Sequence, residues 1–264
     1  MTVIISPTPV NGPARIGYEN LFDSATTITA TDEAAGYEKE NAFNWNAFDW
    51  WKPASAGTKY LTAIFSSAVT VDYFAVFAHT LHTYSDSIQL QYSTNGSTWN
   101  DIGLAQSPAT GRVIFVTFTA VSAAWWRLKV ITTGPCVIGC AAFGQTLELP
   151  KGMAVGFVPP IFARDNKYSD KNTKKGVPLP RTVERLAGKI SIQQKAVDPV
   201  WMRSNWPAFL DHAETKPFFF SWDSVNHSTE AGFCITNKDP KTKYSSAMFM
   251  DGSINANVLT VLDP

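Results

Sequence analysis

At 264 residues, the chain has room for one large or two modest domains of ~150 residues each. Hydrophobic residues make up 45% and charged residues 17%, which excludes disorder along the whole chain, and 22 basic against 22 acidic side chains leave no net attraction to nucleic acid or an anionic membrane. The longest apolar runs, residues 73–78 and 136–143, fall far short of the ~18 residues that cross a bilayer, and no base precedes Arg15 while Pro7, Pro9 and Pro13 interrupt the start, so neither a membrane span nor a secretory leader is expected.

Residues 1–150 read as strands separated by turns. The runs 60–66, 69–78, 87–93, 112–121, 125–132 and 137–148 are rich in β-branched and aromatic residues. Ile88, Leu90 and Tyr92 alternate with Gln89, Gln91 and Ser93, which places the two sets on opposite faces of one strand. Asn95-Gly96, residues 108–111 and Gly134-Pro135 supply the positive or fixed φ that tight turns need. Many short strands with little helical periodicity predict a β-sandwich, in which Trp99 folds back over the Asn95-Gly96 hairpin in a packing role.

A compositional joint at residues 149–152 marks the expected boundary, followed by a linker and basic arm over 151–180. Residues 151–200 hold 10 basic and 4 acidic side chains, against 7 and 11 before them and 5 and 7 after. Arg164, Lys167, Lys171, Lys174 and Lys175 lie in a stretch without periodicity between prolines, which predicts an exposed arm docking on an acidic neighbour. Tyr168 is the one aromatic there, too few rings for nucleic-acid stacking.

The segment 181–264 changes period. Leu186, Gly188, Ile190 and Ile192 alternate as a strand. Asp198-Pro199 then gives an N-cap with Pro in the first helical turn, and Met202, Trp206, Phe209, Leu210 and Ala213 share one helical face. Pro207 removes one amide, so a kink or a restart capped by Asn205 is expected. Strands follow at 218–222 and 232–236, then a hairpin of 244–250 and 254–262 turned at Asp251-Gly252. One helix over an antiparallel sheet or open barrel results.

The residues for catalysis are sparse. His79 and His82 are read as a surface-loop pair in preference to a metal site, and Glu38 with Glu40 lack a spaced acidic partner. Phosphate loops and hydrolase motifs are absent, so no enzyme activity, metal or cofactor is expected. Cys136, Cys140 and Cys234 are expected to be free, mostly buried thiols. Trp45, Trp50 and Trp51, interleaved with Asn44, Asn46 and Asp49, could stack on a glycan or touch a protein. End-capping of the sandwich, with the Asn and Asp side chains satisfying loop amides, is favoured over an exposed platform.

Two family resemblances add to this reading. The succession Asn41-Ala42-Phe43, Trp50-Trp51, residues 60–65, residues 71–78, the segment from Ile88 to Trp99 containing Asn95-Gly96, and Trp126-Arg127-Leu128-Lys129 resembles the discoidin or galactose-binding jelly roll, over roughly residues 20–148. Members of that family bind sugars, lipids or proteins. Residues ~181–264, with the Trp-containing helix, the apolar strand Phe218-Phe219-Phe220-Ser221-Trp222 and a meander, resemble the tail-tube-like domain of phage tail tubes and distal tail proteins. The two resemblances together imply a mainly β protein: an N-terminal jelly-roll sandwich and a C-terminal tail-tube-like sandwich or open barrel with one helix.

They further imply a structural virion protein of a phage tail tip or baseplate, assembled in the host cytoplasm. Its partners would be itself in a ring, expected to be a hexamer, together with the tail tube protein and tail-tip hub proteins. Assembly contacts are then expected from Arg164, Lys167, Lys171, Lys174, Lys175, Phe218, Phe220 and Trp222. The alternative is a carbohydrate-binding module that recognises a host surface glycan.

Overall fold

The computed structural model describes residues 12–169, 180, 182–185 and 188–261. Leu186, Lys171, Lys174 and Lys175 lie outside the described residues. The strands are β1 (Arg15–Gly17), β2 (Thr27–Ala30), β3 (Gly57–His79), β4 (Ser87–Ser93), β5 (Asn100–Asp101), β6 (Ile114–Thr132), β7 (Ile138–Gly144), β8 (Leu147–Glu148), β9 (Lys167–Ser169), β10 (Thr182–Arg185), β11 (Gly188–Val197), β12 (Phe218–Ser221), β13 (Gly232–Thr236), β14 (Lys241–Tyr244) and β15 (Met250–Leu259). One helix, α1 (Pro199–Ala213), follows β11. The protein is mainly β, with two main sheets, one of them a curled half-barrel, and this single helix among the described residues.

The first sheet runs β2-β3-β6-β4-β5, with β7 also on β3. Its two long strands differ from the expected pattern, because 60–66 and 69–78 are one 23-residue strand and 112–121 with 125–132 form most of one 19-residue strand. The breaks seen in sequence are register shifts, between Ile64 and Val69 and between Val71 and Tyr73. A bulge bends a strand without ending its pairing. The first half of β3 therefore pairs β2 and the far end of β6, whereas the second half pairs β7 and residues 114–117 of β6.

Burial along β3 explains the apolar run. Phe74 and Val76 face a core shared with Leu61, Trp126, Leu128 and Phe143. Tyr73, Ala75 and Phe77 face the other way, into a cluster with Cys140, Ala142, Phe219 and Phe233. β7 divides its side chains in the same manner, Ile138, Ala141 and Phe143 to one side and Cys140 and Ala142 to the other. A strand covered on both faces loses its polar alternation.

What covers the second face is the second sheet, ordered β11-β15-β13-β12-β1-β8 with β14 on β15. β12 is also buried on both faces: Phe219 meets Phe233, ring centroids 5.2 Å apart, at the seam, and Phe218 and Phe220 lie in a third core under α1. Strands from before residue 150 belong to this sheet, since β1 pairs both β12 and β8 and Leu149 N donates to Ala14 O. The expected division at 150 thus does not separate the two sheets.

α1 follows its expected cap, with Asp198 Oδ1 accepting from Val200 N at 2.7 Å. Met202, Trp206, Phe209 and Ala213 are its buried face. The helix continues through Pro207, and Asn205 caps nothing, its Nδ2 donating back to Trp201 O at 3.0 Å. Buried residues lie on both sides of the proline, Met202 and Trp206 before it and Phe209 and Ala213 after. The last hairpin turns at residues 245–249 instead of at Asp251-Gly252, which lie inside β15. Asp251 Oδ1 there accepts from Ala196 N at 2.9 Å, and Gly252 pairs with Gln194 and Thr242.

The seam packs residues of both sheets into one apolar cluster, so the two sheets should unfold together. Phe219→Ala should cost ~3–5 kcal/mol, as truncation of a fully buried ring does, and urea unfolding should remain a single transition by fluorescence and by circular dichroism. A charge cluster borders the seam. Arg15 donates to Glu148 Oε2 at 2.6 Å and lies 3.7 Å from Asp72 Oδ2. Burial holds the Asp72 carboxyl above its usual range, although Thr146 and Arg15 pull it down, and burial raises neighbouring Glu19 as well. The folded chain therefore holds these protons more tightly than the unfolded chain. Both groups add stability as pH falls through their raised values and withdraw it as pH rises past them. Asp72→Asn should flatten the decline in stability that begins as pH rises through the ordinary carboxylate range near about 4, measured by urea titration at each pH.

Candidate functional site

Trp50, Trp51 and Lys52 show how the chain builds its loop-end cleft. Trp51 exchanges both backbone hydrogen bonds with Ile138, at 2.9 and 3.0 Å. In such an extended bridge successive side chains point to opposite sides. The Trp51 indole enters the first core with no exposed surface, and Trp50 and Lys52 stay on the outer side, half-buried. Trp45 goes elsewhere, buried at the seam with φ 64° and its ring edge-on to His212 at 5.2 Å. The three indoles grouped by sequence thus occupy three environments.

The polar residues between them hold the loop. Asn44 Oδ1 accepts from Asn46 N at 2.8 Å, Asn46 Oδ1 from Phe48 N at 3.1 Å, and Asn46 Nδ2 donates to Asp49 Oδ2 at 2.8 Å. Amide satisfaction, as expected of a capping loop, occupies them.

A cleft of about 200 Å³ opens between Tyr37, Trp50 and Lys52 on one wall and Thr80, Thr83, Tyr84, Pro135 and Val137 on the other. The Tyr37 and Trp50 rings are nearly parallel, 12° between planes and 6.5 Å between centroids. Trp50 Nε1 donates to Ala47 O at 3.2 Å, and Lys52 N donates to Tyr37 O at 3.3 Å, so this wall is fixed by bonds to backbone carbonyls. Asp86, almost fully buried, ties the opposite wall together: Oδ2 accepts from Thr132 Oγ1 at 2.8 Å and Oδ1 from Thr133 N at 2.9 Å.

Two glycines let the rings lie where they do. A Cβ at Gly134 would come within 2.5 Å of the Tyr84 ring, and one at Gly139 within 3.0 Å of the Trp50 indole. Of the cleft residues, sequence reasoning found Trp50 and missed Tyr37, Lys52, Thr80, Thr83 and Tyr84. Among them only Tyr37 adjoins a turn glycine, Gly36, and Tyr84 opens the turn Tyr84-Ser85-Asp86.

Other candidates separate from this site. His79, expected on a surface loop, ends β3 fully buried with Nε2 2.9 Å from Arg112 O, because the second sheet covers that strand end. His82 is half-buried, its ring 6.2 Å from that of His79. Among the described residues no group of three or more His, Cys, Asp or Glu is placed to hold a metal. Glu40 pairs with Lys39 at 3.0 Å, and Glu38 accepts from Gly36 N.

Phe218 and Phe220 have no exposed surface and lie in this chain's own core under α1. Trp222 stacks on His227 at 4.8 Å and donates to Glu230. Arg164 is exposed, and Lys167 stands on β9, which pairs with β10 instead of remaining loop. Trp99 is half-buried beneath the Arg127 guanidinium, 3.8 Å from the ring, and Arg127 also covers Tyr60 at 3.9 Å. The three cysteines are free and buried; burial pushes the Cys136 thiol up to about 11 and raises Cys140 and Cys234 further, which makes them poor nucleophiles.

Larger grooves exist, including one of about 570 Å³ beside residues 106–117 and one of about 400 Å³ over β11. Each has a single aromatic residue in its lining. Three rings converge in the smaller cleft, and that concentration of flat apolar surface beside hydroxyls distinguishes it.

No protein-family model and no curated protein matches the sequence. Solved structures do match the N-terminal half. Chitosan-binding module 1 of a chitosanase/glucanase from Paenibacillus sp. IK-5 is 20% identical, over 48% of this chain and 99% of that one, with a TM-score of 0.41. A CBM32 module from Clostridium perfringens in complex with GalNAc-β-1,3-galactose is 14% identical over 48% and 100%, TM-score 0.42. A pectin-binding carbohydrate-binding module is 18% identical over 46% and 91%, TM-score 0.39.

Proposed function

We propose that this protein binds carbohydrate, with a single sugar residue seated in the loop-end cleft. The observation that carries the proposal is the convergence of the near-parallel Tyr37 and Trp50 rings, the exposed Tyr84 ring and the Thr80 and Thr83 side chains on one cleft. The apolar face of a pyranose packs on aromatic faces, and its hydroxyls need donors and acceptors at the rim. At about 200 Å³ the cleft is below the ~300–1,000 Å³ of pockets for drug-sized ligands, which suits one ring and not a long buried chain.

The indoles test this reading directly. Trp50→Ala should weaken binding of the full chain on an oligosaccharide array at least about tenfold, equivalent to ~1.4 kcal/mol, with the melting temperature nearly unchanged. Trp51→Ala should instead cost ~3–5 kcal/mol of stability, because it empties core volume. Equal effects of the two changes on binding and melting would refute the assignment of the cleft.

A ring-forming role in a phage tail tip is the second reading. It draws on the turn between β14 and β15, where Tyr244, Met248 and Phe249 are 53%, 72% and 43% exposed around one bend. Clustered apolar side chains on an exposed turn favour association. Light scattering on the eluting protein should then show a closed oligomer that Met248→Ser with Phe249→Ser reduces to monomer; a monomeric wild-type chain at high concentration excludes it.

A further inference from the structure

Lys52 brings to the cleft a charge that no carboxylate among the described residues pairs with. Its ammonium lies 5.3 Å from the Tyr37 ring centroid, and it is the one charged side chain among the described lining residues. It forms no ion pair among the described residues. No described carboxylate oxygen lies within 4.0 Å of it.

The position of this cation is built by the fold. Lys52 N donates to Tyr37 O at 3.3 Å and Lys52 O accepts from Ala34 N at 2.9 Å, which fixes its backbone on both sides. Alternation from the buried Trp51 then directs the side chain to the cleft side of the loop. A cation over an aromatic face is stabilised there, and a half-buried one is screened by salt less than one in open water.

A neutral sugar would use the rings and hydroxyls and leave Lys52 without a counter-charge. A sugar with an anionic group at the ring edge would add a charge-assisted hydrogen bond, shorter and stronger than a neutral one. We propose that the cleft selects acidic sugars, with Lys52 as the residue that reads the negative charge. This inference rests on the carbohydrate reading above. A ring carboxylate and a sulfate ester present the same chemistry to an ammonium, and the probes below separate them.

The test is titration calorimetry of the full chain with glucuronate and galacturonate oligosaccharides, sulfated galactose oligosaccharides, and their carboxyl-reduced or desulfated counterparts. An acidic probe should bind at least about tenfold more tightly than its neutral counterpart at about 50 mM salt, and the margin should shrink at about 500 mM. Lys52→Met keeps most of the aliphatic stem and removes the charge, so the affinities for acidic and neutral probes should converge. Preference for carboxylate over sulfate, or the reverse, names the anion. Neutral probes that bind as tightly as acidic ones, or a margin that survives Lys52→Met, overturn this inference and leave the carbohydrate reading standing. Absence of binding by every probe overturns both.

Discussion

The double burial of the second half of β3 is the constraint on which the rest of the molecule depends. Tyr73, Ala75 and Phe77 would expose a wide apolar stripe if the first sheet had nothing packed on that face. The second sheet covers that stripe with Phe219 and Phe233, and in doing so needs apolar residues on both of its own sides, because α1 lies over the other. One requirement therefore propagates through four layers: the front of the first sheet, its back half, the second sheet and the helix. Stacking of Phe77 on Phe233, ring centroids 4.6 Å apart, and the pairing of β1 with both β12 and β8 make the contact specific as well as apolar. Offset and edge-on ring pairs add directional preference to area burial.

The cleft inherits its rigidity from the same layer. Ile138, at the start of β7, holds Trp51 by two backbone bonds, and β7 pairs along β3 from Tyr73 to His79. The loop that carries Trp50 and Lys52 is in this way anchored to the most buried strands of the protein, although it is itself irregular. On the opposite wall a buried carboxylate, Asp86, accepts from a side chain and a backbone amide, which substitutes for the ladder that a loop lacks. A binding surface formed of loops can be precise when its fixed points belong to the core.

Ionised groups show the cost of closing such a seam. Asp72 and Glu19 are drawn out of water at its border, and Arg15 with the amides of Thr146 and Gln145 offsets only part of the desolvation, so both carboxyls titrate above their usual range. Lys59 and Asp32 meet at 2.7 Å with Ser55 beside them, and there the hydrogen bonds outweigh burial and hold Asp32 below its usual range. Asp72 and Glu19 lie deeper than Asp32, and a cation donates directly to Asp32 but stands a further ångström from Asp72.

Local pattern made much of this legible in the sequence. Alternation over residues 88–93 set the faces of β4, Asp198-Pro199 set the start of α1, and the spacing of Met202, Trp206, Phe209 and Ala213 set its buried side, since each depends only on neighbours along the chain. The strand-rich, mainly β character followed from the same local signals. What pattern could not supply was the partner of each face. The apolar run at 73–78 was visible, but its meaning, a strand covered by two different layers, came only from residues more than a hundred positions away in β12 and β13. Ser67 and Ala68 read as a break and proved to be a bend, because pairing with β6 resumes beyond them. The division of Trp45, Trp50 and Trp51 among seam, cleft and core was likewise a tertiary decision. Sequence fixes which residues are large and flat, whereas the bridge from Trp51 to Ile138 fixes which of them faces water.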